Sequence, residues 1–123
     1  MKTSKNKLLT LAFATGFLLN PLIVIADAYW SRTAEVRDGV PLPVAVELAL
    51  KFSTVSAENG IEVLVTLPLS GNPNRIRWST SAEDIAAVQA NFARMQQMPA
   101  FQEIWAKGQE IFENPTDDWW QTP

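Results

Sequence analysis

The feature that most constrains the fold is a pair of alternating segments in the middle of the chain. Apolar side chains occupy every second position of residues 61–69, which predicts a β-strand with one buried face. Residues 70–74, Ser-Gly-Asn-Pro-Asn, have the composition of a hairpin loop, and residues 75–79 alternate again. Because a parallel connection needs about a dozen residues or more, this short loop predicts an antiparallel pair.

A helical pattern precedes the strand pair. Its apolar stripe recurs at spacings of four, four and three residues and consists of Val44, Leu48, Phe52 and Val55. Pro41 and Pro43 are tolerated in a first helical turn, where the backbone N–H has no partner in any case. Gly60 suits the residue that ends a helix. The sequence therefore predicts one helix between residues 41 and 60.

A second helical pattern follows the strand pair. Thr80 and Glu83 fit a capping box, with Thr80 as the N-cap. The apolar stripe consists of Ile85, Val88, Phe92 and Met95. After Pro99 the pattern restarts with Phe101, Ile104, Trp105, Gly108 and Phe112. Since proline cannot continue a helix, this predicts a helix that is broken at Pro99.

Strands are also predicted at both ends of the domain. Residues 29–37 alternate loosely, and residues 117–122 form a short final strand or an aromatic tail. The resulting order, β-α-β-β-α-β, is that of an α+β, ferredoxin-like fold: an antiparallel sheet with two helices on one face. The second face of this sheet needs its own cover, and we expect the sheet of a partner subunit there.

The first 28 residues have the features of an export signal. Three lysines and no acid open the chain: Lys2, Lys5 and Lys7. An apolar run over residues 8–26 ends in Ala26-Asp27-Ala28, a small-x-small site for signal peptidase. We predict a cleavable signal peptide over residues 1–28, cleavage before Tyr29, and one domain over residues 29–123. The protein would be exported, periplasmic or secreted, and would meet a membrane only during export.

The alternative for this segment is an uncleaved membrane anchor, since 19 apolar-rich residues approach the ~20 that span a bilayer. Asn20-Pro21 lies inside the run and argues against an anchor, because proline breaks a helix.

Composition excludes several classes of function. The chain has no cysteine and no histidine, so disulfides, a thiol-linked lipid anchor and metal sites built on these residues are excluded. We expect no cofactor and no bound metal. Seven basic and twelve acidic residues follow residue 28, a net charge of −5, which argues against nucleic-acid binding. A domain of 95 residues without disulfides favours oligomerisation as a way to bury more surface.

Three segments resemble a known group of proteins. The first, residues 61–78, reads IEVLVTLPLSGNPNRIRW: a strand, a glycine-centred hairpin and an aromatic-bearing strand. The second is the following helix, with Ala86-Ala87-Val88 and Phe92. The third is Met98-Pro99-Ala100-Phe101-Gln102-Glu103-Ile104-Trp105, a short break followed by a helix. Together they resemble the NIPSNAP-like members of the dimeric α+β barrel superfamily over nearly all of residues 29–121.

This resemblance implies a homodimer whose two sheets close into a barrel. Members of the superfamily include cofactor-free monooxygenases, haem-degrading enzymes and many domains of unknown role. Its haem-handling members use a histidine, and many other catalytic members use a histidine or a placed tyrosine. This chain has no histidine, and its one tyrosine is Tyr29. These departures favour a non-enzymatic role.

The candidate ligand-binding residues are Trp78, Trp105 and Arg77. The tryptophans could line a pocket for a small, flat, apolar ligand, and Arg77 could hold a carboxylate or polarise a carbonyl. The plainer alternative is that the tryptophans pack in the core or in a dimer contact and that Arg77 lies on a solvated strand face. Asp117-Asp118 could bind a cation, although two acids lack the wider ligand set of a calcium loop.

We predict no catalytic residue, because no histidine is present to activate a serine nucleophile. The interpretation that these observations favour is an exported, homodimeric ligand-binding or protein-interaction module. The alternative is a cofactor-free monooxygenase or isomerase that acts on a small aromatic substrate. A third possibility is a structural subunit whose Trp119-Trp120 segment docks on another protein.

Overall fold

The structure, a computed structural model, describes residues 27–123. Its elements are β1 (Ala28–Val36), α1 (Leu42–Glu58), β2 (Leu64–Thr66), β3 (Arg75–Ala82), α2 (Ile85–Met95), α3 (Pro99–Ile111) and β4 (Phe112–Gln121). The predicted order of strands and helices is confirmed, as is the break at Pro99. The predicted signal segment lies outside the described residues, apart from Asp27 and Ala28. Within residues 27–123, no helix is both long and apolar enough to cross a membrane.

The four strands form one antiparallel sheet in the order β2-β3-β1-β4. The first strand therefore lies in the middle, with β3 on one side and β4 on the other. This arrangement, with the helices on one face, is the predicted α+β, ferredoxin-like fold.

The core lies between the sheet and the helices. Every second side chain of β1 and β3 points to this inner face, as the pleat of a strand requires. The sheet contributes Trp30, Ala34, Val36, Ile76 and Trp78 to the buried cluster, and the helices contribute Ala45, Ala49, Val88, Met95 and Phe101. We call the opposite side of the sheet the open face.

The strand predicted over residues 61–69 is shorter than expected. Ile61 and Val63 are buried, but the ladder includes only Leu64–Thr66. The hydroxyl of Thr80 donates to the Glu62 carbonyl at 2.7 Å, and that of Ser53 donates to the Val63 carbonyl at 2.6 Å. Side chains thus take the carbonyls that a longer ladder would use. Leu67 and Leu69, predicted to be buried, are exposed.

The predicted capping box is wrong. Thr80 belongs to β3, which continues to Ala82, so it cannot cap the next helix. Asp84 is the N-cap instead, and its carboxylate accepts a hydrogen bond from the Ala87 N–H at 2.7 Å. Threonine and aspartate are both preferred at the N-cap of a helix, so the local sequence did not distinguish Thr80 from Asp84. The pairing of Thr80 within the sheet decides between them.

The final strand begins earlier than predicted. It starts at Phe112, directly after α3, and continues for ten residues. Asn114 has a positive φ of 52°, and the register against β1 shifts between Thr33 and Glu35. This bulge lets Pro115 lie within the strand, where a regular ladder would need its missing N–H. Trp119 and Trp120 therefore lie in a strand rather than a tail.

Candidate functional site

The open face of the sheet carries a hollow of about 500 Å³. Its lining comes from three strands, the end of a fourth and the loop before β2: Tyr29, Trp30, Ser31, Glu62, Leu64, Arg77, Ser79, Thr80, Ser81 and Trp120. Small serine side chains and larger aromatic, leucine and arginine side chains line it together.

The floor of the hollow is polar. In the antiparallel register Ser31 lies opposite Ser79, and Tyr29 lies opposite Ser81, so their side chains share the open face. Arg77 lies opposite Thr33, and its Nε donates to the Thr33 hydroxyl at 3.3 Å. This leaves guanidinium N–H groups of an exposed side chain available to an acceptor. The floor therefore offers several hydroxyls and one cation.

The margin of the hollow is apolar. Leu64 is 61% exposed, Trp120 is 63% exposed and Tyr29 is 38% exposed. Large apolar side chains at such exposure, grouped around one concave surface, are typical of an interaction site. The usual pattern of a protein interface, an apolar centre with a polar margin, is reversed here.

The structure does not bring the three predicted site residues together. Trp78 and Arg77 are neighbours in β3, so their side chains point to opposite faces of the sheet. Trp105 lies on α3, on the helix side. Arg77 therefore lies on the open face, away from the two tryptophans. Their individual roles in binding stay predictions.

Trp78 lies in the core, where the packing alternative placed it. It is 8% exposed, and its ring meets that of Phe112 edge to face at 5.0 Å. Among the described residues, its indole Nε1 is the buried side-chain polar atom without a hydrogen-bond partner. Trp105 is half exposed and stacks on Phe101 at 5.9 Å.

An ion pair that the sequence pattern did not predict lies at the margin of the inner face. Arg32 projects from β1, and its Nε and Nη2 donate to the two carboxylate oxygens of Asp117 at 2.6 and 2.9 Å. The guanidinium also lies 5.2 Å from the ring centre of Trp105 and 5.9 Å from that of Trp30. A bidentate pair between aromatic rings has well-defined geometry. It ties the last strand to the first and to α3.

The acidic pair predicted as a possible cation site is divided by the sheet. Asp117 is engaged by Arg32 on the inner face, while Asp118 lies opposite Ser31 on the open face. Within residues 27–123, no group of three or more acidic, histidine or cysteine side chains could hold a metal ion. Asp117 joins β4 to β1 through its ion pair with Arg32.

The ion pair makes stability depend on pH. Hydrogen bonding and the charge of Arg32 hold the pKa of the Asp117 carboxyl below its usual value, against an opposing effect of partial burial; a hydrogen bond from Trp30 adds to the lowering. Because the pKa is lower in the folded state, the stabilisation is present above about pH 4 and is lost as the pH falls through the folded-state pKa.

We expect Asp117→Asn to reduce the acid sensitivity of the fold. At neutral pH the variant should lose about 1 kcal/mol or less of unfolding free energy, since the pair is partly solvated. Between about pH 5 and pH 2 its unfolding free energy should fall less steeply than that of the wild type. Urea titrations monitored by circular dichroism measure both curves. Parallel curves would mean that the ion pair has no linkage to pH.

Comparisons with known proteins agree with this fold. No family model matches the chain, and no curated protein matches it in sequence. A NIPSNAP-domain protein from Burkholderia xenovorans is similar in structure, with a TM-score of 0.67 and 13% identity, over 78% of this chain and 94% of that one. A NIPSNAP-family protein of unknown function from Agrobacterium tumefaciens gives a TM-score of 0.66 at 14% identity, over 78% and 87%.

A third similar structure is a dimeric protein of unknown function with a ferredoxin-like fold from Bacteroides fragilis. Its TM-score is 0.53 at 14% identity, and the match covers 76% of this chain and 95% of that one. These similarities show the fold: an α+β, ferredoxin-like domain similar to the solved NIPSNAP-family structures. The resemblance predicted from the sequence is confirmed at the level of fold.

Proposed function

We propose that the protein is an exported, homodimeric binding module in which a second copy covers the open face. The observation that carries this proposal is the 500 Å³ hollow with its polar floor and apolar margin. When two such faces meet, the margins can bury apolar surface against each other while the floors enclose a chamber. Each copy then contributes half of the site.

The size of the domain supports an assembly. A domain of 95 residues buries only ~60–65% of the surface that its unfolded form exposes. The chain has no cysteine that could stabilise the domain through a disulfide. Burial of the exposed Leu64, Trp120 and Tyr29 side chains in an interface would stabilise the assembly by ~25 cal/mol for each Å² of apolar surface removed from water. The similar protein from Bacteroides fragilis is dimeric, which supports the same assembly for this chain.

The chemistry of the chamber favours a small, flat anion as the ligand. Arg77 supplies a fork of N–H donors that matches a carboxylate, and the hydroxyls of Ser31 and Ser79 add donors and acceptors beside it. Trp120 and Tyr29 provide aromatic walls for a ring. An aromatic carboxylate has both matching features: a flat ring that can pack against Trp120 and Tyr29, and a negative charge that can pair with Arg77.

Export is supported by the sequence of the first 28 residues. The lysine-rich start, the apolar run and the alanine-rich end follow the order of a secretory signal. The absence of cysteine does not oppose export, because the domain relies on a packed core rather than on disulfides.

The enzyme alternative has less support from the geometry. The pocket expected for it combined Trp78, Trp105 and Arg77, and Arg77 lies on the opposite face of the sheet from Trp78. The open face offers one cation and hydroxyls, which can bind and orient an anion. A binding role is therefore the function that the geometry supports best.

The mass of the exported protein in solution tests the proposal. Multi-angle light scattering of the wild type at micromolar concentration should give twice the chain mass. Dilution should lower the measured mass only when the concentration falls below the dimer Kd. A mass equal to one chain at every concentration would contradict the homodimer and, with it, the enclosed chamber.

A further inference from the structure

The residue just before the predicted cleavage point belongs to β1, a central strand of the sheet. Ala28 is the first residue of β1 and is completely buried. Its Cα partners are Ala82 on β3 and Gln121 on β4, so it joins both neighbouring strands at their ends. Loss of Ala28 would leave two strand ends without a neighbour.

Asp27 adds further hydrogen bonds where β1 meets the ends of β3 and β4. Its N–H donates to the Ala82 carbonyl at 3.1 Å, and its carbonyl accepts a hydrogen bond from the Thr122 N–H at 2.8 Å. The hydroxyl of Thr122 also donates to the Asp27 carboxylate at 3.0 Å. The chain from Asp27 onward is therefore bonded to both β3 and the end of the domain.

Cleavage after Ala28 would remove all of these contacts. It would also place the charged α-amino group on Tyr29, whose partners in the sheet are Ser81 and Trp120. A new chain end inside a central strand is unfavourable, because it loses ladder hydrogen bonds and introduces a charge there. A chain that begins at Asp27 keeps every contact, since an ammonium nitrogen still donates to the Ala82 carbonyl.

The sequence contains a second site two residues earlier. Val24-Ile25-Ala26 has alanine directly before the cut and a compact, uncharged valine three positions before it. We propose that signal peptidase cuts between Ala26 and Asp27, so that the mature chain is residues 27–123. This inference rests on the export that the proposed function includes.

Intact mass and N-terminal sequencing of the exported protein test the site. The full-length chain is produced in a bacterial host that secretes it, and the extracytoplasmic fraction is collected. We expect a mature chain that begins with Asp27. A chain that begins with Tyr29 would overturn this inference and leave export standing. Full-length chain retained in the cell would overturn export itself.

A pair of variants makes the test independent of folding. Ala28→Phe places a bulky residue at the second mature position if the cut follows Ala26, so pulse-labelled precursor should be processed at the wild-type rate. If the cut follows Ala28, the same variant removes the small residue that the peptidase needs there, so the precursor should be processed more slowly and the variant should begin at a different residue from the wild type. Ala26→Phe is the control: it replaces a small residue that either cut needs, and it should slow precursor processing by about tenfold or more.

Discussion

Leu64→Arg is expected to convert the proposed dimer into a monomer. Leu64 stands at the margin of the open face, where it is 61% exposed and lines the hollow. In a two-fold dimer the substitution places two unpaired guanidinium groups in surface that the assembly removes from water. A desolvated, unpaired charge costs about 3 kcal/mol or more, which corresponds to a Kd roughly 100-fold weaker. Light scattering at micromolar concentration should then report half the wild-type mass.

Leu50→Arg is the matched control for this variant. Leu50 is the same residue type and is 51% exposed, but it lies on α1, on the other side of the sheet. The control should remain dimeric, and far-ultraviolet circular dichroism should show both variants folded. If Leu64→Arg stays dimeric, the open face is not the dimer interface. If only Leu50→Arg dissociates, the interface lies on the helices.

Arg77→Gln is expected to weaken binding of an aromatic carboxylate by about tenfold or more. Hydrogen bonds to a charged partner contribute about 1.5–3 kcal/mol each, and glutamine retains donors but not the charge. Benzoate is the probe, with the neutral benzamide beside it. Titrations followed by the chemical shifts of Ser31 and Ser79 amides should give a benzoate Kd that rises in the variant and a benzamide Kd that does not.

Arg75→Gln provides the comparison for Arg77. Both arginines project from β3 on the same side, but Arg75 lies toward the hairpin loop, and its Nε donates to the Asn72 carbonyl at 3.2 Å. Arg75 does not line the hollow of the open face. The control should retain the wild-type benzoate Kd. Equal losses in both variants would indicate a general effect of surface charge rather than a site at Arg77.

Much of the fold was accessible from periodicity, because periodicity reports which face of an element is buried. The helix spacing of Val88 and Met95 and the alternation of Ile76 and Trp78 correspond to buried positions. The break at Pro99 followed from the chemistry of a single residue. These signals are local, so one sequence is enough to read them.

The rest depended on contacts between distant parts of the chain. Arg32 and Asp117 are 85 residues apart, and only the register between β1 and β4 brings them together. Thr80 satisfied the local rule for a helix cap, yet the sheet required it as a strand residue. By contrast, the separation of Arg77 from Trp78 was predictable from alternation alone, since adjacent strand residues point to opposite faces.

The position of β1 has a consequence for the timing of folding. Of the four described strands, β1 is synthesised first, and both β3 and β4 pair with it. Its partners lie far along the chain: Arg77 follows Thr33 by 44 residues, and Asp117 follows Arg32 by 85. Loops of this length close slowly, and the sheet cannot be completed until the last element has been synthesised. A nascent chain of this topology cannot complete its sheet until nearly its whole length is available, and such an unfolded chain is the state that the proposed export requires.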